Sequence, residues 1–447
     1  MSINEFRLEP AFAFSTDESN VLISQGESEI CIDGNSYKGD CDVCLKLLPS
    51  SKIYFDSHFL GIPADDLMKV VTEKTGISSF SFNGRQIDGF VTYKAFENAQ
   101  DLHVKWQPKH EPIVGIGNEK THMARVVFHL FNFIDIWGTR YSSEESAKKM
   151  HGISHLDLLY REWTIELKSM VFTRENIQKL KDEGGYQLTH IGVIKKFDDA
   201  DFLAEEAETY LEAISFFLSF AKGACSDPVC AVGFDSSGKR VWESWSSPRE
   251  TWNTPLSWFD PHHGSQLTSL FPLFMNRWSD ENWRKALEEI IYWYLNANFS
   301  SRGIDAGIIL TQAAIERLSY EYVVKERQNL SAKKFKKLPA SKKFRLLFSF
   351  LRIPIDISAS TPEMKRLADP AVFNWLDSPH ALTETRNSLV HPEHKRRGQL
   401  DSVYFEAWNL GLWYLEMGIL AICGYSGTYS NRIKRGWVGD VDNVPWI

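Results

Sequence analysis

The chain has 447 residues, of which 43% are hydrophobic and 24% charged, with 15 Trp and a formal net charge of −8. This is ordinary globular composition, which excludes a disordered, collagenous or coiled-coil protein, and the length suits two or three domains of about 150 residues. No apolar run reaches the roughly 18–20 residues that a bilayer span needs; the best, Val403 to Cys423, is interrupted by Glu406, Asn409 and Glu416.

The opening MSINEFRLEP lacks the basic-then-apolar pattern of a secretory leader. Six cysteines are too sparse for a disulfide framework. A soluble, cytoplasmic protein is expected. The net charge hides an asymmetry: from Asn276 onward there are 24 Lys+Arg against 19 Asp+Glu, and before it 26 against 39. Such a split suggests a basic domain that meets a polyanion beside an acidic portion with another task.

The first 120 or so residues read as β-rich. Ser78 to Phe82 alternates apolar and polar, Asn83-Gly84 supplies a hairpin turn and Gly89 to Tyr93 follows as a strand. Glu29 to Tyr37 is a second hairpin, turning at Asp33-Gly34. From about Arg125 strands mix with helices, and Ala204 to Lys222 is helical, with Tyr210, Leu211, Ile214, Phe217 and Leu218 on one face. Trp242 to His263 reads as a packed loop or strand pair. Its tryptophans (Trp242, Trp245, Trp252, Trp258) are better placed in a core than as stacking platforms.

From Ser279 the pattern is helical. Ser279 or Asp280 can cap a helix whose Trp283, Ala286, Leu287, Ile290, Ile291, Tyr294 and Leu295 recur at amphipathic spacing. Further helices are expected over about Ile304–Val324, around Phe344–Leu351, over Pro370–Val390 in one or two pieces, and over Val403–Cys423. The last carries Phe405, Trp408, Leu412, Leu415 and Ile419 on one stripe. The expected fold class is multidomain α+β. A β-rich domain spans residues 1–124, a mixed middle domain 125–275, and an all-α bundle with a tail 276–447.

The segment with the most chemistry is Thr383 to Pro392, followed by Glu393-His394-Lys395-Arg396-Arg397. Positions five apart on a helix diverge by about 140°, so Arg386 and His391 would not converge on a continuous helix, whereas Asn387 and His391 share a face. Pro392 disfavours the α region at His391, so the helix should end there and free the imidazole. A helix carbonyl end also favours an imidazolium. An Arg, an amide and a His at one helix end suit metal-free RNA cleavage by a ribose 2′-OH. His391 would transfer protons, Arg386 would stabilise the phosphorane and Asn387 would orient them, while Lys395, Arg396 and Arg397 hold the backbone. One chain offers one such His, so a symmetric dimer would supply both acid and base.

An all-helical C-terminal part with Arg386-Asn387-x3-His391 resembles the HEPN ribonuclease superfamily, and the wider chain looks like the ApeA-like HEPN proteins of bacterial antiphage defence. Supporting pieces are the tail from Gly424 to Arg432 and on to Val444-Pro445-Trp446, with Ala314 to Leu318, Thr189 to Gly192 and Leu218 to Ala221. The resemblance implies a homodimer with a composite site, metal-independent RNA cleavage and growth arrest on infection; no cofactor is expected, a tRNA is among the candidate substrates, and the charge split suggests an acidic N-terminal portion that restrains the basic domain until a phage-derived trigger binds.

Other features have plainer readings. Lys325 to Arg345 carries nine basic residues against Glu326 alone. Its Lys333, Lys334, Lys336, Lys337, Lys342 and Lys343 form either a solvated face or a phosphate track. Glu316, on the second helix of the bundle, is a surface acid or a brace for Arg386. Cys41-x2-Cys44 with Cys31, Cys225-x4-Cys230 and His262-His263 lack the paired spacing of zinc sites, so no metal is expected. Two rival readings are a HEPN-type scaffold without catalysis and a ligand sensor that works through its β-rich domain.

Overall fold

The computed structural model describes residues 8–14, 20–72, 76–98, 100–136, 140–141, 153–170, 174–299, 303–391, 393, 395–396, 398–434 and 436–447. The chain is mixed α/β, β-rich at its N-terminal end and helical in its C-terminal part. Two compact units are built from discontinuous segments. One holds the described residues of 1–132, 170–209 and 228–252, the other those of 133–169, 210–227 and 253–447.

In the first unit, β1 (Asn20–Ile32) and β2 (Asn35–Lys46) pair antiparallel around Asp33 (φ 49°) and Gly34 (φ 85°). Two successive residues in the left-handed region make the tight hairpin turn that matches strand twist. Asn83 (φ 48°) and Gly84 (φ 76°) repeat it between β4 (Ser79–Phe82) and β5 (Arg85–Gln86). With β3 (Lys52–Phe59), β6 (Gly89–Asn98) and β7 (Asp101–Pro108), these strands form a seven-stranded sheet in the order β5-β4-β1-β2-β3-β7-β6. Helix α1 (Ala64–Thr72) follows β3.

The period-2 pattern sends Val43, Leu45, Phe55, Phe80, Leu102 and Val104 into the core. The other face of β3 and β7 carries Asp56, His58, His103 and Lys105. A second antiparallel run in this unit orders Leu188–Lys196, Arg125–Phe131, Pro228–Phe234, Arg240–Trp245 and Ile113–Ile116. Helix α2 (Arg174–Glu183) precedes the first of these strands. Trp245 is fully buried against Phe55 and Phe82, as core packing requires.

Two histidines are sealed into this second run. His129 accepts from the Ala11 amide at 3.0 Å through Nε2, and its Nδ1 faces the Cys230 carbonyl at 3.1 Å. Burial pulls the imidazole from 6.5 down to about 4, and burial pulls His190 down to about 3. Both are neutral when folded but regain a proton near pH 6.5 when unfolded. Protons therefore favour the unfolded chain below pH 6.5, and the loss continues down to about pH 4 and pH 3 respectively. Each imidazole should remove about 1.4 kcal/mol per pH unit across its window. Melting curves between pH 7 and 4 should show that decline, shallower in His129→Gln; equal slopes would rule out His129 as a source.

The second unit combines a hairpin, Ile153–Tyr160 with Trp163–Ser169, with helices. Helix α3 (Ala204–Lys222), which belongs to this unit from Tyr210 onward, matches the predicted span. Helix α4 (Ser265–Trp278), absent from the sequence expectation, carries Pro272 inside it. Asp280 caps α5 (Glu281–Asn298), accepting from the Asn282 and Trp283 amides. Helix α6 (Ile304–Ser319) passes into a π-helical turn, Tyr320–Glu326. Short α7 (Ala332–Lys336) precedes α8 (Ala340–Leu351), α9 (Pro362–Leu367), α10 (Ser378–Val390) and α11 (Tyr404–Ile422). The predicted helix from Pro370 begins only at Ser378, because Asp377 provides the cap by accepting from the His380 amide at 2.8 Å.

Helix α11 is the hub of the second unit and packs on α5, α6, α8, α9 and α10. Its predicted single stripe is a correction: Leu412, Leu415 and Ile419 are buried, but so is most of its remaining surface, while Phe405 is exposed. At the α6 crossing, a Cβ on Gly307 would lie 2.6 Å from the Trp408 indole, so glycine permits the approach. Among the described residues, no helix is long and apolar enough to cross a membrane.

Candidate functional site

Helix α10 is anchored at its start and open at its end. Arg345 of α8 forms an ion pair with the capping Asp377, and Gln312 of α6 donates to the Leu382 carbonyl at 2.6 Å. Its buried face consists of small or apolar residues (Ala381, Leu382, Thr385, Ser388), with Thr385 and Ser388 hydroxyls bonding back onto the helix carbonyls. This lets the helix pack closely without an orphan polar group.

The helix stops at Val390, and His391 turns extended at φ −104°, ψ 110°, with its amide still bonded to the Asn387 carbonyl at 3.0 Å. That is the geometry expected before proline. His391 is exposed and Arg386 half-buried, with the Arg386 guanidinium donating to Asn387 Oδ1 at 3.3 Å. Arg386, Asn387 and His391 thus lie in the last turn and exit of one helix. They present a fixed guanidinium, an amide that orients it and an accessible imidazole.

The neighbouring basic residues divide. Lys395 is exposed. Arg396 is not a free phosphate ligand as predicted: it pairs with Glu384 at 3.3 Å, donates to the Phe373 carbonyl at 3.0 Å and lies 4.3 Å over the Phe373 ring. Its role is to fold the segment after α10 back onto residues 373–384. Arg397, with Pro392 and His394, lies outside the described residues.

The lysine-rich stretch is sorted by Phe335, which is buried and turns α7 inward. Lys333, Lys334, Lys336, Lys337 and Lys342 are at least partly open to solvent. Lys343 is a correction to the phosphate track: it is buried, bonded to Glu316 and 5.1 Å from the Phe335 ring centre. Of the two readings of Glu316, the brace for Arg386 is corrected, since its half-exposed carboxylate holds Lys343.

A cleft of about 530 Å³ opens beside this pair, lined by Glu316, Arg317, Tyr320, Phe335, Lys336 and Lys343. Sequence pattern missed it, because the π-helical turn after α6 that presents Tyr320 has no local signature. The basic stretch reaches α10 through Arg345 at Asp377, whereas His391 leaves its other end. The 13 residues between span about 20 Å at the 1.5 Å rise per residue. Arg345, the end of the basic stretch, and His391 therefore stand at opposite ends of one helix.

The cysteines form no pairs: all six are free thiols, and burial pushes Cys41, Cys230 and Cys423 up to about 12. Among the described residues, one group has metal-ligand spacing, Asp56, His58 and His103 on β3 and β7.

Two family models match the chain, the YopA central domain over residues 118–256 and the YopA C-terminal domain over residues 280–443. The chain is also similar to the SPbeta prophage-derived uncharacterized protein YopA of Bacillus subtilis (strain 168), 31% identical over 332 residues that make up 73% of each chain. No solved structure matches. With both domain models in sequence order and a relative aligned over nearly three quarters of its length, the chain belongs to the YopA family.

Proposed function

We propose that this protein is a HEPN-type, ApeA-like endoribonuclease that cuts RNA without a metal at a composite site formed by two copies of the chain. The observation that carries the reading is the exit of α10, where Arg386 is oriented by Asn387 and His391 stands exposed one residue past the helix. A helical bundle with that motif at a helix end is the arrangement the HEPN resemblance implies. Attack by a ribose 2′-OH needs a base for the nucleophile and an acid for the leaving 5′-oxygen. One His391 from each copy would meet both needs, and Arg386 would carry the phosphorane charge.

The segment leading into α10 also offers exposed apolar side chains for self-association. Val372 is 48% and Leu376 75% exposed, on the segment that Arg396 ties to the residues following the motif. Lys333, Lys334, Lys336 and Lys337, on and just after α7, would hold RNA phosphates. A relative described as prophage-derived is in keeping with a role in conflict between phage and host, with RNA cleavage arresting growth.

The direct test incubates the full-length protein with total cellular RNA in EDTA and reads the chemistry of the new ends. The expected product carries 2′,3′-cyclic phosphate and is absent with His391→Ala; RNA left intact with and without phage-infected lysate would favour a binding module. Changing Lys333, Lys334, Lys336 and Lys337 to Glu should weaken RNA binding and flatten its salt dependence, by about 0.7 in log–log slope for each single-strand phosphate left without its lysine. An unchanged slope would remove this cluster from the interface.

A further inference from the structure

The outer face of the seven-stranded sheet carries a second constellation, unrelated to α10. In the antiparallel pairing of β3 with β7, His58 lies opposite His103 and Asp56 opposite Lys105. Residues two apart on a strand share a face, and directly opposed residues on the next strand join them. Asp56, His58 and His103 therefore stand on one side of the sheet, while Phe55, Ser57 and Phe59 fill the other.

Their ligand atoms all lie within 4.8 Å of one another. The two imidazoles stack, with centroids 4.1 Å apart and planes 13° from parallel. His103 Nε2 is hydrogen-bonded to Asp56 Oδ1, and Lys105 Nζ sits 2.8 Å from the other carboxylate oxygen. On the opposite flank, β2 sets Asp40 across from His58 and Asp42 across from Asp56, both exposed. The patch thus offers two ring nitrogens and a carboxylate oxygen in a field of three carboxylates against one ammonium.

We propose that Asp56, His58 and His103 bind a divalent transition-metal ion of the zinc class, with water completing the coordination. Two imidazoles and one carboxylate suit such an ion, whereas calcium and magnesium prefer oxygen-only shells. Tetrahedral bonds of about 2.0 Å place ligand atoms about 3.3 Å apart, a contraction that side-chain rotation of the exposed His58 and half-buried His103 can supply. The ion takes the place of the hydrogen bond between His103 and Asp56. It also clips β3 to β7. Lys105 opposes the ion by its charge and by occupying Asp56 Oδ2.

The test uses full-length protein, stripped with EDTA and dialysed, and cobalt(II) as the probe, read by its visible d–d bands. One equivalent should bind, be displaced by one equivalent of zinc, and raise the melting temperature. His58→Ala and His103→Ala should weaken binding on the order of 100-fold, more than loss of a supporting partner does. Lys105→Met should tighten it about tenfold, a gain that a misfolded variant could not produce. Cys44→Ser, a nearby thiol on the same face, should change nothing. No bands in the wild type, retention in the double His variant, loss in Cys44→Ser, or calcium binding as tight as zinc would each overturn the assignment.

Discussion

Glu416→Leu is expected to destabilise the helical part of the chain by about 3–5 kcal/mol, the cost of leaving a buried charge without its partner. Glu416 on α11 and Arg432 in the tail are 0% and 1% exposed, with oxygen and nitrogen 2.5 Å apart. The pair is fully engaged. Arg432 donates through Nε to Glu416 at 3.0 Å, through Nη1 to Asn298 at 3.1 Å and through Nη2 to the Leu256 carbonyl at 2.5 Å. Tyr294 donates to Glu416 at 2.7 Å.

This network fastens the tail to α5 and α11, and burial with the adjacent carboxylate raises the Tyr294 hydroxyl well above its ordinary value. Arg432→Met should cost a similar amount. The double variant Glu416→Leu/Arg432→Met should recover much of the loss, since it removes both desolvated charges together. Thermal melts followed by tryptophan fluorescence would check the cycle. Single variants costing under about 1 kcal/mol would show that water reaches the pair.

The polar residue that makes this network is visible in the sequence only as an interruption. Glu406 and Glu416 break an otherwise apolar run, which argues against a membrane span, yet their tasks need distant partners. Glu406 accepts from the Glu363 and Met364 amides at the start of α9, at 3.0 and 2.8 Å. Glu416 meets a residue 16 positions later. Local chemistry was legible where it is sufficient: the paired left-handed residues at Asp33-Gly34 and Asn83-Gly84, the Asp280 cap and the extended His391 that ends α10.

It was not legible where packing decides. Helix α4 buries Leu267, Leu270, Phe271, Phe274 and Trp278 around an internal Pro272, a residue that ordinarily argues against a helix. The discontinuous units, the β3–β7 pairing that gathers Asp56, His58 and His103, and the inward turn of Phe335 that separates Lys343 from the other lysines are all long-range outcomes. The Arg386-Asn387-x3-His391 segment could be read because the geometry of one helix end is set by neighbours along the chain.

His391→Ala is expected to lower the RNA-cleaving activity proposed for the α10 site at least 100-fold, roughly the range that positioned acid–base groups contribute. Arg386→Lys should lose a comparable factor, because a point charge on a flexible stem lacks the planar fork that Asn387 orients. Asn387→Ala should cost less, since it removes the 3.3 Å hydrogen bond and leaves the guanidinium. The proposed composite site makes a sharper claim. If one copy's His391 is base and the other's is acid, a dimer with one altered chain is inactive. Mixing wild-type chains with equal His391→Ala chains, under conditions that allow exchange, should then give about one quarter of the activity of an all-wild-type sample at the same total chain concentration, the fraction of dimers with two intact copies. One half remaining would mean that each chain works alone. Intact folding of the variants is the natural outcome, because His391 is exposed and its structural contact is made by its backbone amide to the Asn387 carbonyl.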